Sequence, residues 1–202
     1  MARDLLKTAG SLLFVGGAEF LVAMIVAESL FPGYSVSGNH ISDLGADCSG
    51  TVCAIRQPSA DIFDVSVFLL GLAGFVGGYL VFRSRHRTVG VLAVMAGLGA
   101  MGVGVFPETT GSLHLIVSFV AFFFTGLAAI ASYRLFTPPM SYLSVALGVF
   151  VLVALALYGS GTYLGLGPGG MERMIAYPAV IWVVGAGANM MGSPPPPARG
   201  RP

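Results

Sequence analysis

LHLIVSFVAFFFTGLAAIASYR, residues 113–134, decides what kind of protein this is. Nothing in it is acidic, and its one full charge is the Arg134 that ends it. A helix on a water-soluble protein keeps one polar face, whereas here Phe, Leu, Val, Ile and Ala occupy every side. At 1.5 Å per residue, about 20 residues cover the ~30 Å hydrocarbon core of a bilayer. The stretch reads as a transmembrane helix that carries His114 and Ser118 near one end.

Five more runs of this kind lie at roughly 9–30, 63–82, 88–106, 141–160 and 174–192. The 202-residue chain is 55% hydrophobic and only 9% charged, with a mean hydropathy of +0.86. Soluble domains carry about 25% charged residues. The expected fold is all-α, a polytopic bundle of six transmembrane helices over residues 1–192 with an exterior loop at 31–62. The Pro-rich SPPPPARGRP, 193–202, is expected to be a disordered cytoplasmic tail. Arg3, Lys7 and the Ala27-Glu28-Ser29 step loosely match a signal peptide. The length of the first run, Glu19 inside it and the spans that follow favour its retention.

Lys and Arg set orientation. Eight of the ten, Arg3, Lys7, Arg83, Arg85, Arg87, Arg134, Arg199 and Arg201, fall on the side of the termini, and only Arg56 and Arg173 on the other. A multi-pass protein of the cell membrane with both termini cytoplasmic is expected. NHISDLGADCSGTVC, 39–53, then faces outward and holds both cysteines, Cys48 and Cys53. Outside the cytoplasm a disulfide between them is permitted, and two free thiols are the alternative. The short basic clusters suit lipid headgroups, and nucleic acid is not expected as a partner. No feature specifies an oligomeric state.

Two glycine patterns resemble ligand loops. GLGAMG, 97–102, fits the dinucleotide fingerprint, but that motif needs a strand before it and a helix after it. Inside a span, small residues let helices approach closely. GLGPGG, 165–170, reads as an exterior turn.

Chemistry gathers at the outer ends of the spans. FPETTGSLH, 106–114, puts Glu108 and His114 about 120° apart around a helix axis, a separation unlike an i, i+4 metal pair. His114 and Ser118 are i, i+4 neighbours, either a base and a nucleophile or a hydrogen bond between helices. His40, Ser42 and Asp43 come from NHISDLG, Asp61 and Asp64 from PSADIFD, and Glu172 and Arg173 from GGMERM. These groups form either a polar cap, with Glu172 or Asp43 paired to Arg173 or Arg56, or a binding site. In the site reading His114, Glu108, Asp43, His40 and Ser118 are the catalytic candidates. Arg173, Glu172 and Asp64 are the candidates for holding substrate. A transition metal such as zinc is compatible with His and carboxylate ligands, although no specific motif indicates one and the cofactor is left open.

N-x-I-S-D-L-G (Asn39 to Gly45), P-S-A-x-I-F (Pro58 to Phe63), F-P-E followed by H-x-x-x-S (Phe106 to Ser118) and E-R-M-x-x-Y-P (Glu172 to Pro178) occur in this order. Together they resemble the membrane family catalogued as domain of unknown function 998, over about 9–192. Asp64 stands where that pattern has Asn, and the segment between the cysteines is not part of it. The resemblance implies a six-helix bundle and no particular activity. More distantly, I-S-D-x-G with a later helix-borne His is similar to the Frag1/DRAM/Sfk1 group, which suggests lipid as ligand. The expected function is an integral membrane protein that acts on or binds lipid through a polar exterior pocket, as a hydrolase or transferase. A non-catalytic lipid-organising scaffold is the alternative. A small-solute or proton-coupled transporter using Glu19, an acid midway through the first span, is the third reading.

Overall fold

The computed structural model describes residues 2–48 and 52–192; the expected tail, 193–202, lies outside them. Six long helices carry the chain: α1 (Ala2–Ser29), α2 (Ser59–Arg83), α3 (Arg87–Val105), α4 (Ser112–Ala131), α5 (Met140–Gly159) and α6 (Gly167–Gly192). No strand forms among the described residues; one isolated antiparallel bridge, Asp47 with Ala54, flanks the Cys48–Cys53 disulfide. All six helices are long and apolar enough to cross a bilayer.

Their outward faces fit that environment. Val15, Val22 and Ile25 of α1, Leu115 and Ile116 of α4 and Val153 of α5 are exposed. In water such faces would carry charge; in hydrocarbon they need only close the backbone hydrogen bonds, as helices do. The chain is a multi-pass integral membrane protein.

Each helix packs against its neighbours in the chain, and α6 closes the ring on α1. Small residues set the closest approaches. Gly97 of α3 meets the backbone of Gly71 and Gly74 on α2, and a Cβ there would stand 2.7 Å from the Gly71 carbonyl oxygen. GLGAMG is therefore a packing surface between helices.

Two helices begin about seven residues before the apolar runs: α1 at Ala2 rather than near 9, and α6 at Gly167 rather than near 174. Pro168 lacks only an N–H that the first turn leaves without a helical partner, so GPGG continues into the helix. At Gly169 the buried backbone lies against the Asn39 carbonyl, and its N–H donates to Ser37 O at 3.0 Å. A side chain at 169 would push residues 36–39 away. Residues 36–39 are thereby seated on the start of α6.

Candidate site at the loop end of the bundle

Residues 39–45 explain how a loop delivers polar groups to a helix bundle. Ile41 and Leu44 are three apart and buried in one cluster with Phe20, Phe31, Phe63 and Val180. They anchor a single 3₁₀ turn, Ser42–Leu44. His40, Ser42 and Asp43, between and before the anchors, line the cavity below.

Arg173 fixes the same loop from the other side. Its guanidinium, 2% exposed, donates to Glu28 Oε1 at 2.6 Å, Tyr34 Oη at 2.6 Å, Val36 O at 2.9 Å, Asn39 O at 3.2 Å and Gly169 O at 3.0 Å. The Tyr34 hydroxyl donates in turn to His40 O at 2.8 Å. Burial pushes the Tyr34 phenol well above its ordinary value. Glu172, one residue before Arg173, points elsewhere because successive residues turn about 100° around a helix. Its Oε2 accepts the Ile41 N–H. Arg173 is thus paired with Glu28 and not with Glu172 or Asp43.

Asp43 is 3% exposed. Its Oδ2 accepts Asn39 Nδ2 and the His40 N–H, each at 2.9 Å. Burial alone would raise its pKa, but the hydrogen bonds from His40 and Asn39 outweigh it and hold the carboxyl below its usual range. His40 Nδ1 stands 3.6 Å from Asp43 Oδ1. Contact with that carboxylate pushes the His40 imidazole up against an opposing effect of burial. Ser42 Oγ donates to Glu108 Oε1. Burial raises the Glu108 carboxyl despite that bond.

His114 is buried on the first turns of α4. Its Nδ1 lies 2.7 Å from Phe106 O, which can only accept, so Nδ1 donates there; Nε2 lies 3.3 Å from Ser118 Oγ. The expected i, i+4 contact is formed.

Glu108, His114, Ser118, His40, Asp43 and Glu172 all line one cavity of about 800 Å³. Its far wall is Phe119, Phe122 and Phe123 of α4 with Leu152 and Leu155 of α5. From Ser112 to Phe123 is eleven residues, a depth of about 16 Å along α4. Arg173 and Asp64 are not among the lining residues. Asp64 packs against Gly45, with its Oδ1 buried and without a hydrogen bond. Glu19 accepts from Ser66 Oγ at 3.1 Å, one helix across.

The cavity's aromatic and tyrosine elements were not legible as site residues. Tyr158 sets its ring edge-on to His40, with centroids 5.9 Å apart. Tyr34 and Glu28 could have been sought by asking what satisfies a buried Arg173. The Phe wall carries no such signal, since Phe is equally suited to facing lipid.

The profile of the family described as "Protein of unknown function (DUF998)" matches residues 14–189, from α1 to the last turn of α6. The chain belongs to this family. No curated protein and no solved structure matches it. In this member of the DUF998 family the matched region holds every residue of the cavity.

Proposed function

We propose that this protein binds a single membrane lipid in the cavity between α4, α5 and the 39–45 turn and acts on its polar head as a hydrolase or transferase. One observation carries the reading: a single cavity joins titratable side chains at its mouth to an apolar wall of Phe and Leu deeper in the bundle. Its volume of about 800 Å³ falls within the ~300–1,000 Å³ of ligand sites. Headgroup oxygens would meet His40, Ser42 and Glu108, while an acyl chain would lie along Phe119, Phe122 and Leu152. His114, oriented by Phe106 O and beside Ser118 Oγ, takes the part of base. The loop end faces the exterior and the termini the cytoplasm in this proposal, because eight of ten basic residues lie at the opposite end.

The test is lipid retention by protein purified in mild detergent, read by native mass spectrometry, for wild type and Leu155→Trp. The indole fills the apolar wall, so bound lipid should fall at least several-fold. Equal lipid in both refutes the reading. A non-catalytic scaffold is favoured by the Arg173 network, which satisfies its partners without a ligand. His114→Ala separates the two: it abolishes turnover in the first and leaves lipid occupancy intact in the second.

A further inference from the structure

The mouth of the cavity gathers three carboxyl groups and two imidazoles. Asp43, Glu108 and Glu172 line it, together with His40 and His114, and no Lys or Arg is among the described lining residues. The nearest cation by sequence, Arg173, is committed to Glu28, Tyr34 and three carbonyls. Carboxylates taken out of water need a counter-charge or a proton.

We propose that His40, Asp43 and Glu108 form a binding site for one divalent transition-metal cation, zinc before others. One ligand atom from each of the three lies within 4.8 Å of the other two. Zinc bonds of about 2.0–2.2 Å place tetrahedral ligand atoms roughly 3.4 Å apart. The His40 Nδ1 to Asp43 Oδ1 separation of 3.6 Å is already close to that value. Asp43 is 3% exposed, and its Oδ1 faces His40 Nδ1.

The remaining atoms of the trio are fixed in the way outer-shell partners fix metal ligands. Asn39 and the His40 N–H hold Asp43 Oδ2, leaving Oδ1 for an ion. Ser42 holds Glu108 Oε1, leaving the second oxygen. One nitrogen and two oxygen donors suit zinc or manganese, whereas calcium and magnesium prefer fuller oxygen shells. Three protein ligands leave a coordination position open, and His114 lines the same cavity. The cation site rests on the cluster's own geometry; its use in polarising a headgroup ester or phosphate rests on the lipid reading above.

Full-length protein in mild detergent is stripped with a chelator and dialysed against zinc, then measured by plasma mass spectrometry and by competition with a chromophoric chelator. About one equivalent is expected, with affinity at least about 100-fold lower in Asp43→Asn and Glu108→Gln and unchanged in Asp61→Asn, which is exposed at the same end. Ser42→Ala removes only a ligand's tether and should cost about 10–100-fold. Should the ligand variants fail to fold, cobalt added to the wild type must still give ligand-field bands of an N/O site. Absence of zinc and of those bands overturns the proposal, as does zinc that binds the variants and wild type alike. Lipid is assayed on the same stripped wild type. Lipid without metal defeats the cation site alone, and metal without lipid defeats the lipid reading alone.

Discussion

Replacing Arg173 by Gln should release the 30–58 connection from the bundle while the six spans stay folded. The guanidinium is buried and makes five hydrogen bonds, two of them to Glu28 and Tyr34 at 2.6 Å. Glutamine reaches at most one or two of these partners and leaves Glu28, half-buried, with no counter-charge. Breaking a buried ion pair from one side costs about 3–5 kcal/mol. At about 1.4 kcal/mol per tenfold, the opening equilibrium of the loop rises by roughly 10²–10⁴. Hydrogen exchange reads this directly. The Asn39 N–H, bonded to Ser35 O at 2.7 Å, and the Gly169 N–H, bonded to Ser37 O at 3.0 Å, are the reporting amides. Arg56→Gln is the control, since Arg56 is exposed and its guanidinium only lies over the Phe31 ring at 5.7 Å. The double variant Glu28→Gln, Arg173→Gln should exchange more slowly than Arg173→Gln, because the stranded carboxylate is gone. If Arg173→Gln exchanges within about threefold of wild type, or Arg56→Gln matches it, the loop is held by something other than this cation.

Gly169→Ala should open the same loop without touching any charge, because its Cβ would overlap the Asn39 carbonyl; the same two amides report it, and unchanged protection would refute the close approach. Reducing Cys48–Cys53, which closes a small ring of separation 5, should weaken the Asp47–Ala54 bridge beside it by about 2 kcal/mol by the chain-entropy argument. The Arg173 contacts lie outside that ring, so exchange of the Gly169 amide should not change. Ser144→Ala removes the acceptor of the Trp182 Nε1 hydrogen bond at 3.1 Å. Side-chain bonds between membrane helices average about 0.6 kcal/mol, so a small loss of stability is expected. Trp182 is the one tryptophan, and its emission should report the lost bond without a second signal. Gly97→Val should separate α2 from α3 at a cost of about 1–3 kcal/mol, read as a lower thermal midpoint in detergent.

The spans could be read from residue chemistry because hydrocarbon imposes one requirement over about 20 residues, whatever the partner helix. Boundaries depend on local contacts instead. GPGGMERM looks like a turn by composition, and it becomes helix because Gly169 admits the Asn39 carbonyl and Pro168 tolerates the first turn. His40, Asp43, Glu108, His114 and Glu172 could be nominated from sequence, since ionisable groups near a bilayer are costly unless used. Their shared location was legible; the individual hydrogen-bond partners were not. Glu108 and His114 lie about 120° apart on an ideal helix, yet a 3₁₀ turn at Glu108–Thr110 and the Gly111 bend re-aim the acid toward Ser42. The partner of Arg173 was likewise out of reach, because Glu28 lies 145 residues away in sequence.

Glu172 and Arg173 show why loop docking and the cavity belong to one construction. Adjacent on α6 and about 100° apart, they grip the same loop from two directions: Arg173 through the carbonyls of Val36 and Asn39, Glu172 through the Ile41 N–H. Between those grips lies His40, whose own N–H is taken by Asp43. The backbone from 36 to 43 is therefore fixed on both sides before any ligand arrives, and His40 and Asp43 inherit their positions from it. That is the arrangement expected where a site must hold its donors within about 0.5 Å. A loop kept only as a lid would not need a buried guanidinium under it. On this argument Arg173→Gln should also weaken zinc at the His40, Asp43, Glu108 cluster, although Arg173 touches none of the three ligands. Zinc affinity unchanged in a variant whose loop exchanges freely would show that the cluster is assembled without the Arg173 anchor.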